Sequence, residues 1–261
     1  MTGRTPASRV AIVTGAGRGL GRATTIALAN RGVAVMAVAL EERELEALAA
    51  EVEVSWLAET VESESGRSRI VAETEARLGS VDILINNAGV SFGQLDEPKL
   101  PIWEADPRVW RTMMSINLDA PFELARLVSG GMIERGWGRI VIVSSTSGQV
   151  GQAGTAAYCA SKAGAIGLTR SIAQDLVRHG VTCNAVLPGY MRTKATEASA
   201  AWEAERDGLT VDEVWERRAQ MYPAGRILDT AEVAEVIAFL ADDASSGING
   251  EAITVALGGL L

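Results

Sequence analysis

The sequence predicts an α/β fold, a doubly wound parallel sheet of about seven strands with helices on both faces. Three observations lead there. Short apolar runs alternate with helical patterns along most of the chain. Within those runs apolar residues do not alternate with polar ones, so the strands are buried on both faces, as in a parallel sheet. The composition is that of an ordinary globular protein, with 48% hydrophobic and 22% charged residues in 261, enough to bury a large core. Disordered, collagenous and coiled-coil readings fail on the same numbers.

The elements follow in order. Residues 10–13 are apolar and β-branched, and this first strand ends at Thr14-Gly15. Residues 19–31 carry Leu20, Ala23, Ile26, Ala27 and Ala29 at helical spacing. A second apolar strand over 33–39 is followed by a charged amphipathic helix over 41–53, whose acids read as a solvated face. A third strand over 52–57, a helix over 64–78 and a fourth strand over 81–85 come next. Residues 106–135 read as one long helix with Trp110, Met113, Met114, Leu118 and Phe122 on its inner side. Strands over 139–143, 181–187 and 252–255, with helices over 153–179 and 230–240, complete the series. Residues 194–222 break the rhythm, being charged, helical and followed by no strand until 252. Such excursions are often lids or binding loops. With no repeat and no low-complexity linker, residues 1–261 are expected to form a single domain.

Charge and rare residues exclude several functions. Twenty-four Lys and Arg against 33 Asp and Glu give a net charge of −9, which argues against binding nucleic acid through its phosphates. No apolar run approaches the roughly 18 residues of a membrane span, and residues 1–9 are polar without a signal core. Cys159 and Cys183 cannot build a disulfide scaffold, and the lone His179 rules out a His-rich metal site. The expectation is a cytoplasmic, metal-free protein with neither nucleic acid nor membrane as partner.

Thr14-Gly15-Ala16-Gly17-Arg18-Gly19-Leu20-Gly21 stands where the first strand meets the first helix. Glycines let the backbone turn sharply and approach a ligand without a Cβ in the way. A helix N-terminus offers free N–H groups and partial positive charge to a pyrophosphate. This is a dinucleotide-binding turn of Rossmann type, although its spacing is not the common G-x-G-x-x-G.

Tyr158 and Lys162 are four apart on a predicted helix and share a face. A nearby ammonium favours the phenolate and lowers the phenol pKa from about 10, making Tyr158 a plausible general acid–base. Ser145 closes the fifth strand, at the end that lines the ligand crevice of a doubly wound sheet. Alone, Tyr-x-x-x-Lys reads more often as a pair on a helix surface.

Together these motifs resemble the short-chain dehydrogenase/reductase family over nearly the whole chain. The resemblance rests on the glycine motif 14–21, Asn86-Asn87-Ala88-Gly89, Asn117 in Ser115-Ile116-Asn117-Leu118, Ser145 with Tyr158 and Lys162, and Pro188-Gly189-Tyr190-Met191-Arg192-Thr193. It implies that Tyr158 exchanges a proton with the substrate oxygen while hydride passes between substrate carbon and nicotinamide. It also implies that Ser145 hydrogen-bonds that oxygen, that Lys162 lowers the Tyr158 pKa and holds the nicotinamide ribose, and that Asn117 holds a water in a proton relay. The implied cofactor contacts are Gly15, Gly17, Arg18, Gly19, Leu20 and Gly21, then Ala39, Leu40, Thr60 and Val61. Asn87, Ala88, Gly89, Tyr158, Lys162, Pro188, Gly189, Met191 and Thr193 complete that set. The segment around 190–222 is then the substrate lid, and two long middle helices pair into a homotetramer or homodimer.

The chain departs from the family at the adenosine end. Ala39 stands where members preferring NAD carry Asp, and Leu40 where members preferring NADP often carry Arg, Ser or Thr. Without that Asp nothing repels a 2′-phosphate, and Arg18, or more distantly Arg43, could reach one. The cofactor is therefore NAD(P)(H), with a slight lean to NADP(H). Thr60 replaces the usual Asp or Asn at the adenine, where Glu59 and Glu62 could substitute. Val255-Ala256-Leu257-Gly258-Gly259 replaces the common V-D-G-G and bears on a structural turn.

Other conspicuous residues have blander readings. His179 suits a helix C-terminus, while Cys159 and Cys183 read as small core residues. Trp202 and Trp215 serve either a helix core or an apolar substrate wall. The expected function is interconversion of a small ketone and a secondary alcohol. Reduction of 3-oxoacyl groups on a carrier protein, with Arg126 and Arg170 as a local docking patch, and sugar or polyol oxidation are the enzyme alternatives. A dinucleotide-sensing regulator is the non-enzyme alternative, and it would have no use for a proton donor.

Overall fold

The computed structural model describes residues 9–259, so residues 1–8 of the predicted polar N-terminus lie outside the described residues. Strands β1 (Val10–Thr14), β2 (Ala34–Ala39), β3 (Ser55–Ala58), β4 (Ile83–Asn86), β5 (Gly138–Val143), β6 (Val181–Pro188) and β7 (Ala252–Val255) form one sheet. Its order is β3-β2-β1-β4-β5-β6-β7, with every neighbouring pair parallel. The chain winds outward from β1 to β3, then returns to place β4 on the other side of β1. That reversal opens a crevice beyond the carboxyl ends of β1 and β4.

The unalternating strands serve two cores. Side chains of successive strand residues point to opposite faces. Ala11 and Val13 join one cluster with Leu28 of α1 (Gly19–Ala29), Leu45 and Leu48 of α2 (Glu42–Ala49) and Ile237 of α10 (Thr230–Leu240). Ile12 joins the other, with Ile70 of α3 (Glu64–Leu78), Leu124 and Val128 of α6 (Ala120–Arg135) and Ala165 of α7 (Ala156–Leu176). Two apolar faces need two helical layers, as the sequence predicts.

The structure corrects the predicted helix over 106–135. It is α5 (Pro107–Met114), a π-helical turn over Ser115–Asp119 and then α6. Pro121 has no N–H for the carbonyl of Asn117, and its ring would crowd that carbonyl in an α-helix. The Ala120 N–H bonds instead to the Ser115 carbonyl, one residue further back. The inner face consequently runs through Val109, Met113, Asn117, Leu124, Val128 and Met132. Trp110 and Phe122, expected inside, are 43% and 47% exposed. A short helix α4 (Phe92–Leu95), which has no apolar period to betray it, follows β4. Residues 194–222 form α8 (Lys194–Asp207) and α9 (Val211–Gln220), with their own small core around Trp215. Among the described residues no helix is long and apolar enough to cross a membrane.

Candidate active site

A cavity of about 640 Å³ opens at the carboxyl ends of the strands, lined by the glycine loop, the β4–α4 loop, Ser145, Tyr158, Lys162 and the start of α8. That volume falls within the few hundred to about 1,000 Å³ usual for ligand pockets.

The glycine loop is held by its neighbours. The Thr14 hydroxyl accepts the N–H groups of Asn87 at 3.1 Å and Ala88 at 3.0 Å, and the Asn87 amide donates to the Thr14 carbonyl at 2.8 Å. A Cβ at Gly21 would lie 2.1 Å from the Gly15 carbonyl oxygen and 2.5 Å from Asn87 Nδ2, while Gly15 itself has φ +65°. Neither position tolerates another residue without rebuilding the turn. Arg18, the N-cap of α1, makes no side-chain cap bond, so the first amides of the helix face the cavity uncapped. The cradle fits a pyrophosphate.

Asn117 locks the opposite wall. Its Oδ1 accepts the Val90 N–H at 2.8 Å, and its Nδ2 donates to the Val90 carbonyl at 2.9 Å and to Ser161 Oγ at 3.1 Å. The π turn places Asn117 where it reaches both the β4–α4 loop and α7. Gly89 lets this assembly close, since a Cβ there would stand 3.2 Å from both Asn117 Oδ1 and Lys162 Nζ. Ser145 Oγ accepts the Ser147 N–H at 3.1 Å and hydrogen-bonds the Tyr158 side chain. Of the four predicted residues, Ser145, Tyr158 and Lys162 line the cavity, and Asn117 lies buried behind that wall.

Their electrostatics differ from expectation in one respect. Burial raises the Tyr158 pKa above its ordinary value, opposed chiefly by the hydrogen bond from Ser145. The Lys162 ammonium donates to the Val143 carbonyl at 3.0 Å and stands 5.8 Å from the centre of the Tyr158 ring. Burial lowers the Lys162 pKa to about 8. A buried ammonium titrating below its ordinary 10.5 costs stability at neutral pH, by about 3 kcal/mol on the usual conversion. The unfolded chain binds the extra proton between pH 8 and 10.5, so this cost disappears as pH rises through that window. Lys162→Met should therefore resist urea better than the parent protein at pH 7, with the difference closing by about pH 10. A difference that stayed constant from pH 7 to 10 would contradict a buried ammonium.

At the adenosine end the sequence reading missed a residue. Ala39 and Leu40 line the cavity as expected, but so does Glu44 from the first turns of α2. Glu44 Oε1 lies 3.4 Å from the Arg18 guanidinium and 3.7 Å from Lys194 Nζ. Its helix is acidic throughout, so nothing in the pattern distinguishes the one carboxylate turned to the glycine loop. Arg43, the more distant candidate for a 2′-phosphate, is exposed and does not line the cavity. Thr60 and Val61 do, flanked by Glu59 and Glu62. The Glu62 N–H occupies an acceptor site of the Thr60 hydroxyl at 3.1 Å, leaving its proton to donate.

At the other end, Pro188 ends β6, and Gly189 makes room for Tyr222, whose oxygen would lie 2.5 Å from a Cβ at that position. Tyr222 accepts the Tyr190 N–H at 2.6 Å. Met191 and Thr193 line the cavity, and Thr193 caps α8 above the glycine loop, its Cγ2 3.3 Å from where a Gly19 Cβ would sit. The altered C-terminal turn places Leu257 at φ +52°, a left-handed conformation costly for a branched side chain, and carries Gly259 to the cavity edge. Trp215 is buried in the small core of α8 and α9, donating to Glu197 at 3.1 Å, and neither it nor Trp202 lines the cavity, so of the two readings the apolar wall is the one that fails. Tyr190, Met221 and Tyr222 line it instead.

Residues 9–204 match the short chain dehydrogenase family. The chain belongs to that family. It is 33% identical to the 3-oxoacyl-acyl-carrier-protein reductase FabG of Escherichia coli, covering 95% of each chain. Identity reaches 37% with the cis-4-hydroxycyclohexanecarboxylate dehydrogenase of Sinomonas cyclohexanicum, again over 95% of both. Among solved structures, a variant of the actinorhodin polyketide ketoreductase with NADPH superposes with a TM-score of 0.90 at 32% identity, over 99% of this chain and 100% of that one. As a member of the family this chain is an oxidoreductase of CH–OH and C=O groups that uses a nicotinamide dinucleotide. The family sharpens what the cradle implies, a ligand with a pyrophosphate, into one that also carries a redox-active ring.

Proposed function

We propose that the protein interconverts a small ketone and a secondary alcohol, with Tyr158 as general acid in reduction and general base in oxidation. The observation that carries this reading is the convergence of Tyr158, Ser145 and Lys162 on the cavity that also holds the glycine cradle, with Asn117 buried behind them against Val90 and Ser161. The dinucleotide supplies or accepts hydride when bound. The chain's own residues do the rest. Ser145 and the Tyr158 phenol fix the substrate oxygen between them, and the phenol, kept protonated at neutral pH by burial, gives up its proton as the oxygen gains charge. Lys162 and Asn117 set the field and the hydrogen-bond path behind it. The chain works as one Rossmann-type domain with a lid around residues 190–222, in the cytoplasm, where its two free cysteines stay reduced.

Arg18 gives a slight preference for NADP(H), and Glu44 limits it by competing for the same guanidinium. Initial rates with NADH, NADPH, NAD and NADP across ketone, sugar and acyl-thioester panels test the whole reading. Absence of turnover on every arm would refute it. Reduction of 3-oxoacyl thioesters is the second reading, supported by likeness to the Escherichia coli reductase. Against it, Arg126 is engaged by Glu123 at 2.8 Å, which weakens the proposed carrier-docking patch.

The assembly follows from exposed apolar surface. Phe122 and Ile133 of α6 stand open to solvent, and such residues on one helix call for a partner. We expect a homotetramer, or failing that a homodimer, built on α6 and α7. Light scattering at micromolar concentration should give a mass near four or two times 27.5 kDa; the monomer mass alone would reject it.

A further inference from the structure

The cavity is electrically lopsided. Its carboxylates, Glu41, Glu44, Glu59 and Glu62, all belong to the segments after β2 and β3, at the adenosine end. On the side of α8 and α9 no carboxylate lines it but two lysines do: Lys194, which turns to Glu44 at 3.7 Å, and Lys99, which does not reach that end. Lys99 is only 22% exposed and stands 3.5 Å from Glu203 Oε1. That carboxylate is already committed, because Arg218, which is 1% exposed, bonds the same oxygen at 3.0 Å and Arg217 approaches the other at 3.4 Å. The half-buried Lys99 and the buried Arg218 thus share one carboxylate oxygen, with Arg218 the nearer, so the Lys99 charge is only partly neutralised. Unbalanced buried charge is costly unless a counter-charge joins it.

The same Arg218 sets the character of a second lining group. It donates to Ser199 Oγ at 2.9 Å. A hydroxyl that accepts from a guanidinium keeps its own proton for another partner, and Ser199 faces the cavity. Lys99 and Ser199 therefore present donors to the same space, backed by a cation that cannot leave.

We propose that Lys99 and Ser199 form an anion subsite, and that the substrate is an oxo acid or hydroxy acid whose carboxylate is held there while its carbonyl or carbinol meets Tyr158. This rests on the ketone–alcohol reading above and names its substrate class. Charge-assisted hydrogen bonds fix the carboxylate, and esterification abolishes them.

The test compares 4-oxocyclohexanecarboxylate and levulinate with their methyl esters. For the wild type, kcat/KM should favour the acids by at least tenfold. Lys99→Met should lower the acid-to-ester ratio at least tenfold, and Lys99→Arg should keep most of it. Titration of the cofactor-saturated protein with each compound, followed by tryptophan fluorescence, gives the same comparison without turnover. Equal handling of acid and ester by the wild type, an unchanged ratio in Lys99→Met, or binding of neither acid would overturn the subsite. Turnover of neutral ketones alongside any of those results would leave the oxidoreductase reading standing.

Discussion

Tyr158→Phe is expected to lower kcat at least about 100-fold, the low end of what a positioned acid–base contributes, while cofactor affinity barely changes. The substitution removes one oxygen and keeps the ring packed against Phe92, Met113 and Ala157, so the fold has no reason to respond. The hydrogen bond with Ser145 disappears, and with it one of the two groups proposed to fix the substrate oxygen. The expected loss in kcat with unchanged dinucleotide binding separates proton transfer from positioning of the cofactor. Steady-state rates and fluorescence titrations on the same preparation measure both. A variant that retained most of its turnover would show that another group supplies the proton, and Tyr190, whose phenol is also pushed up by burial in the same cavity, would be the next candidate.

How much of this was legible before any coordinates depends on where the physics is local. The strands were legible because seven short apolar runs lacking alternation have few other interpretations. The glycine loop was legible because Gly15 and Gly21 are required by backbone approach alone. The convergence of Asn117 with Lys162 was expected from the resemblance, but the π turn that achieves it depends on one missing N–H at Pro121, which a search for helical period passes over. The same turn changed which face of the helix is inside, so Trp110 and Phe122 were misplaced. The net rise of the Tyr158 pKa was not legible because i,i+4 spacing fixes a face shared with Lys162 and says nothing of how deeply the phenol is buried. Glu44 was invisible for a related reason: long-range partners such as Arg18 and Lys194 leave no trace in an acidic helix.

Glu44 makes the choice of cofactor a competition between two anions for one cation. In the structure Arg18 leans on Glu44 at 3.4 Å, on a side chain that is 45% exposed and free to turn. A 2′-phosphate would have to draw the guanidinium away, and would meet Glu41 and Glu44 on the cavity wall. A 2′-hydroxyl would leave the pair intact, yet finds no carboxylate at Ala39 to accept its proton. The opposing effects are expected to leave NADP(H) favoured by no more than about tenfold, or about 1.4 kcal/mol. Ala39→Asp adds a charged acceptor worth about 1.5–3 kcal/mol for the ribose and repels the extra phosphate, so the NAD-to-NADP affinity ratio should rise at least about 100-fold. Glu44→Gln works the other way: it frees Arg18 without moving the loop and should raise NADP affinity about tenfold relative to NAD. Fluorescence titration of both oxidised cofactors against the three proteins decides the matter. If Glu44→Gln instead weakened NAD selectively, Glu44 itself would be reading the ribose hydroxyl, and Arg18 would serve only to orient that carboxylate.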